Sequence, residues 1–221
     1  WRSPVCPVVS GLTPDHGDFV RRRILEIAAQ AGPPLSSKEA CESNVFVVLT
    51  PQPGEVVAKW RARNPRLFGS DSTDGTDGAA TAMPVRTWYS TSLNNADGSP
   101  PKEIANSAPE YRLKDSRIAS SVAEDIFGIL VLVDTNRTGA ATLGQLADYV
   151  AMLALARIDL DADVASSTTI LRLFSSSDSA SAPSGLTNWD EAFLRALYKS
   201  RMTLLEQRSR IAASMAEDLA P

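Results

Sequence analysis

The sequence predicts an α/β domain of an α+β-like kind: a mixed β-sheet with flanking helices and one buried mid-chain helix. Three observations carry that prediction. The chain opens as strand, helix, strand, helix, the start of a parallel sheet. Two strand-like runs then follow one another in mid-chain with no helix between them, which turns the sheet from parallel to mixed. Beyond them, Leu146 to Leu155 is apolar on most sides, as a helix must be when it is covered on both flanks. With 221 residues, 43% hydrophobic and 22% charged, the chain has the composition of a soluble globular protein and reads as one domain over 1–221.

Each element has a local cause. Val5 to Ser10 is a short apolar run, and Gly11 releases it into Thr13-Pro14-Asp15, an N-cap followed by a proline that the first helical turn accepts. Val20, Ile24, Ile27, Ala28 and Ala31 then recur at helical spacing until Gly32-Pro33-Pro34 stops the helix. Asn44 to Thr50 is a buried strand by its β-branched content, and a second helix runs from Glu55 to about Asn64, before Pro65. Gly69 to Ala82 is low in complexity and rich in turn formers, a mobile loop, as is Ser175 to about Gly185. Met83 to Leu93 alternates as a strand does. Arg117 to Ser121 reads as an edge-type strand and Phe127 to Asp134 as a central one, with Ala123, Glu124 and Asp125 to turn on between them. Thr142-Leu143-Gly144-Gln145 fits a capping box that opens the buried helix, which extends to about Ile158. Thr187 caps a helix carrying Trp189, Phe193, Leu194, Leu197 and Tyr198, and a last helix runs from about Met202 to Leu219.

Composition excludes several function classes. One His and two Cys leave too few ligands for the usual zinc or iron site. The net charge is −4 and the acidic excess is spread along the chain, so no footprint for nucleic acid stands out. Arg21, Arg22 and Arg23, the only tight basic run, read as a solvated edge of the first helix. No apolar stretch approaches the ~20 residues that a transmembrane helix needs. Cys6 and Cys41 lie at the starts of two strands that are neighbours if the sheet opens parallel. A disulfide between them is the expectation, with two reduced core thiols as the alternative. The bridge implies an oxidising compartment, and a chain that begins at Trp1 rather than Met reads as a mature form that is periplasmic or secreted.

Candidate chemistry is sparse. His16 lies between Asp15 and Asp18 at a helix start, where the dipole lowers its proton affinity; it reads as surface capping, with catalysis the less favoured role. Asp159, Asp161 and Asp163 have calcium-loop spacing, but Val164 stands where the turn glycine belongs and Ile170 where the bidentate glutamate belongs. Asp71, Asp74 and Asp77 read as a solvated loop. The sequence contains neither a phosphate-binding glycine loop nor a G-x-S-x-G nucleophile elbow.

The stretch from Ala147 to Leu155 (ADYVAMLAL) resembles the zinc-protease helix H-E-x-x-H-x-L-G-L of metzincin-like proteins. Ala147 and Ala151 stand at its two histidine positions, Asp148 at its general-base glutamate and Ala154 at its glycine. Ser167 to Leu171 resembles the Ser-Ile-Met turn beneath the metal, and Leu186 to Tyr198 is similar to the L-T-x-x-D-x-A-x-L-x-x-L-Y segment of uncharacterised secreted bacterial proteins. The resemblance spans roughly residues 125–201. It implies a zincin-like scaffold whose metal site is lost, because alanine has no donor atom. The implied function is a non-catalytic domain that binds a protein or peptide, through an exposed edge strand or the old cleft, and needs no cofactor. The alternative is a metal-independent hydrolase using Asp148 with another cleft residue. Apolar packing around Ala147 and Ala151 favours the first; a pocket that brings Asp148 to a second carboxylate favours the second.

Overall fold

The computed structural model describes residues 1, 3–36, 41–63, 83–95, 99–102, 122–160, 164, 168–174, 182–199 and 204–219. Its sheet has four strands: β1 (Pro7–Ser10), β2 (Val45–Thr50), β3 (Val85–Asn95) and β4 (Val122–Asp134), in the order β1-β2-β4-β3. The first three in that order run parallel and β3 is antiparallel to β4, so the sheet is mixed, as expected. Among the described residues five helices accompany it: α1 (Pro14–Ala31), α2 (Pro53–Arg63), α3 (Leu143–Leu155), α4 (Asn188–Lys199) and α5 (Leu204–Asp218). A 3-10 turn occupies Ile170–Phe174.

The two faces of the sheet are covered unequally. Val45, Val47, Leu49, Val85, Ile129, Val131 and Val133 point to one face and are buried against α1 and α3, with Leu194 of α4 in the same cluster. On the other face Trp88, Leu130 and Leu132 are covered by α2 through Val56, Val57 and Trp60. That helix buries no residue fully, so its face is the thinner one. Burial of β2 alternates accordingly, as its period of two dictates.

One strand departs from the sequence expectation. Ala123, Glu124 and Asp125 do not form a turn: β4 is continuous through them and pairs with β3 from Val122 to Val133. A bulge opposite Ser90/Thr91 leaves Phe127 as the extra residue. Below it the hairpin extends past the end of β2, which pairs with β4 only from Ile129 onward. Charged side chains fit there because the ribbon is open to solvent: Glu124 bonds Arg157 at 2.6 Å, and Asp125 accepts from Asn94 at 2.9 Å. The expected strand at Arg117–Ser121, the loop over Gly69–Ala82 and most of that over Ser175–Gly185 lie outside the described residues, as do Asp71, Asp74, Asp77, Asp161 and Asp163.

At the other edge, Cys6 turns both backbone groups towards β2: its N–H donates to Asn44 Oδ1 and its carbonyl accepts from Asn44 and Val45. Alternation therefore turns Val5, Pro7 and Val9 outward. Val5 uses its N–H on Pro34 O and forms a single parallel bridge with Leu35. Pro7, next on the same edge, has no N–H to donate. At the end of β1, Gly11 passes so close to β2 that a Cβ would lie 1.8 Å from Leu49 O, and its φ of 89° also favours glycine. Cys6 and Cys41 are joined, with Cα atoms 6.0 Å apart and a sequence separation of 35.

The bridge ties the lead-in of β2 to the start of β1. Cys41→Ser, at an exposed position, is expected to lower the unfolding free energy by about 3–4 kcal/mol, the chain-entropy value for a loop of this length. Urea titration of wild type and variant, both under non-reducing conditions, measures it.

Candidate functional site

The site marked by the zincin resemblance lies on α3, and its chemistry follows from how completely that helix is buried. Every residue from Leu146 to Leu155 is buried, Ala147 and Ala151 at 0% exposure, inside the main apolar cluster. A helix so enclosed has no water to satisfy its ends. At its N-terminus the expected capping box is present: Gln145 N–H donates to Thr142 Oγ1 at 3.2 Å, and Thr142 N–H donates to Gln145 Oε1 at 3.0 Å. At its C-terminus there is neither a glycine cap nor a basic residue, and aromatic side chains from distant elements do the work. Trp1 Nε1 donates to Ala154 O at 2.8 Å, and the Tyr198 hydroxyl donates to Leu155 O. The Tyr89 hydroxyl lies 2.9 Å from Leu153 O and 3.1 Å from Ala156 O. These contacts end the helix at Leu155, short of the expected Ile158.

Asp148 is the single charged residue on α3. It is 4% exposed and both of its carboxylate oxygens accept hydrogen bonds. Arg23 Nε donates to Oδ1 at 2.5 Å and Nη2 to Oδ2 at 3.2 Å, a two-pronged pairing. Leu186 N–H donates to Oδ2 at 2.7 Å. Gly185 comes so close that a Cβ would stand 2.7 Å from Oδ2, so only glycine admits this contact. The hydrogen bond that Arg23 donates to Asp148 holds the guanidinium above its ordinary pKa, against the opposing effect of burial. Arg21 and Arg22 are exposed as the basic run suggested, but Arg23 turns inward, because its place on α1 faces α3. The same stretch is held a second time where Gln145 Nε2 donates to Pro183 O at 2.8 Å.

Asp190 is a second buried carboxylate, which the sequence marked only by its place in the Leu186–Tyr198 segment. It is 0% exposed. It accepts from Thr169 Oγ1 at 2.5 Å, from Ile170 N–H at 2.9 Å, and from Thr187 N–H and Oγ1 at 3.0 and 2.9 Å. One side chain thus serves the starts of both the 3-10 turn and α4. The signal for it was the Thr187-x-x-Asp190 spacing, a capping pair at a helix start.

His16 is exposed on the first turn of α1, and Asp148 meets Arg23 further along that helix instead. Ala147 and Ala151 present methyl groups to the core, so the pair offers no metal donor. Among the described residues no three His, Cys, Asp or Glu side chains stand close enough to share a metal ion. An open groove of about 540 Å³ lies elsewhere, beside β1 and the first turns of α1, with Cys6 and Cys41 in its lining. Comparison with protein-family models, curated proteins and solved structures finds no match to this chain.

Removing the charge of Asp148 leaves Arg23 facing a neutral amide. Asp148→Asn is expected to cost about 1.5–3 kcal/mol, the range for a hydrogen bond to a charged group, and exposed Arg22→Gln no more than about 0.5 kcal/mol. Chemical denaturation at neutral pH measures both. Burial raises the Tyr149 and Tyr198 phenols well above their ordinary value. The unfolded chain ionises its tyrosines from about pH 10 while the folded one keeps these two protonated, so stability falls as pH rises beyond that point. Urea midpoints from pH 8 to 11 are expected to stay level and then drop, with a shallower drop in Tyr198→Phe.

Proposed function

We propose that this chain is a non-catalytic domain that binds a protein or peptide, built on a zincin-like scaffold without a metal site. The observation that carries the reading is the packing of α3. The two positions where the resemblance places zinc-binding histidines are alanines with no exposed surface, and apolar side chains fill the space around them. The carboxylate between them accepts from Arg23 and from Leu186 N–H on both of its oxygens and is nearly buried. The mixed sheet, with its antiparallel edge strand and a buried helix packed beneath, supports the scaffold part of the reading. An oxidising, periplasmic or secreted setting is supported by the Cys6–Cys41 bridge.

The test separates scaffold from enzyme. After incubation with excess zinc and desalting, elemental analysis is expected to find well under one equivalent of metal. A fluorogenic peptide mixture is expected to be cleaved no faster than in buffer. Peptide hydrolysis that disappears in a folded Asp148→Asn variant would establish the hydrolase instead.

A further inference from the structure

The turn that follows β4 carries a pattern that the binding reading does not use: Asn136-Arg137-Thr138. An asparagine followed at the second place by serine or threonine, with any residue but proline between, is the recognition triplet for N-linked glycosylation. Of the asparagines in the chain, Asn136 alone meets that rule. So short a triplet gains meaning from its setting, because the modification belongs to surface loops of secreted proteins.

The setting here is an exposed turn. Thr135, Asn136, Arg137, Gly139 and Ala140 are all exposed, and Thr138 is half-buried. Asp134 ends β4 and shapes the turn: its Oδ1 accepts from Asn136 N–H at 3.0 Å, and its carbonyl accepts from Arg137 N–H at 3.0 Å. Gly139, next after the triplet, has a φ of 58°, and a Cβ there would have no neighbour within 4 Å, so the loop stands clear of the packed layers. Asn136 Nδ2 donates to Pro51 O at 2.9 Å, and Thr135 N–H to Thr50 O at 3.1 Å, which ties the turn to the one after β2. The bond to Pro51 uses one of the two amide hydrogens. N-glycosylation replaces one hydrogen on Nδ2 and leaves the other, so the modified side chain keeps a donor.

We propose that Asn136 is a site of N-linked glycosylation, taking one oligosaccharide on Nδ2 from a lipid-pyrophosphate donor. The proposal rests on the reading of the chain as secreted through an oxidising compartment, which the Cys6–Cys41 bridge supports. In the transfer, the bond between the anomeric carbon of the sugar and the pyrophosphate oxygen breaks, and its electron pair leaves with the lipid pyrophosphate. A bond from that carbon to Nδ2 forms, and the displaced Nδ2 proton passes to a base of the transferase. The glycan then stands on the rim where β2 and β4 end, a bulky and solubilising group that keeps a protein partner off that rim.

In the experiment the full chain is produced behind a secretion signal in a eukaryotic host, whose secretory compartment supplies the transferase and the lipid-linked oligosaccharide. Free thiols, gel mobility before and after treatment with peptide N-glycosidase, and peptide masses are read on the secreted protein. The expected result is a chain without free thiols whose mobility rises on treatment, with Asn136 converted to aspartate by the release. Thr138→Ala removes the triplet but keeps Asn136 and its bond to Pro51, and the mobility shift is expected to be lost. Thr138→Ser keeps the triplet, and the shift is expected to stay. An oxidised, secreted chain with Asn136 unmodified would overturn the site while leaving the secreted setting in place, as would a shift that persists in Thr138→Ala. A chain recovered with Cys6 and Cys41 as free thiols would overturn the setting, and the site with it.

Discussion

The complete burial of α3 is the constraint on which the rest of the structure depends. A helix enclosed on all sides gains from the transfer of its apolar side chains out of water, but it takes its polar ends and its one carboxylate along. Each of those groups has to find a partner within the protein. The N-terminus finds one locally in Thr142 and Gln145. The carbonyls of the last turn are reached by Trp1, by Tyr89 from β3 and by Tyr198 from α4. Three remote parts of the chain are thereby fastened to a single helix end, and the order of elements around the core follows from those attachments.

The two buried carboxylates extend the same logic. Asp148 joins α3 to α1 through Arg23 and to the segment entering α4 through Leu186. Four positions further along, Asp190 joins the start of α4 to the 3-10 turn through Thr169 and Ile170. Residues 182–190 therefore form a junction at which α1, α3, the 3-10 turn and α4 meet. Buried charges of this kind are costly unless fully paired, and here every oxygen is engaged. A carboxylate occupied in this way has a structural task, joining α3 to α1 and to the segment that enters α4.

Much of the fold was legible in the sequence. The period of α1, the β-branched run of β2, the capping boxes at Thr142 and Thr187 and the apolar wrap of α3 are local signals, and the structure carries them with boundaries shifted by a few residues. Two readings failed for physical reasons. Ala123, Glu124 and Asp125 look like a turn because charged residues are disfavoured in buried strands, yet the β3–β4 pairing at that point runs beyond the end of β2, where Leu93, Glu124 and Phe127 are exposed. Arg23 looks like its two exposed neighbours, because nothing in a run of three arginines says which one faces another helix.

The sequence by itself determined the class of fold, the helix that must be buried, the pairing partner available to each cysteine and the lack of metal donors at Ala147 and Ala151. These are properties of composition and short-range periodicity. Only the tertiary structure decided that Asp148 is paired with Arg23 and that aromatic donors close α3. Each of those depends on groups far apart in the chain, such as Arg23 and Asp148 or Trp1 and Ala154, and their meeting is set by how the sheet and helices stack.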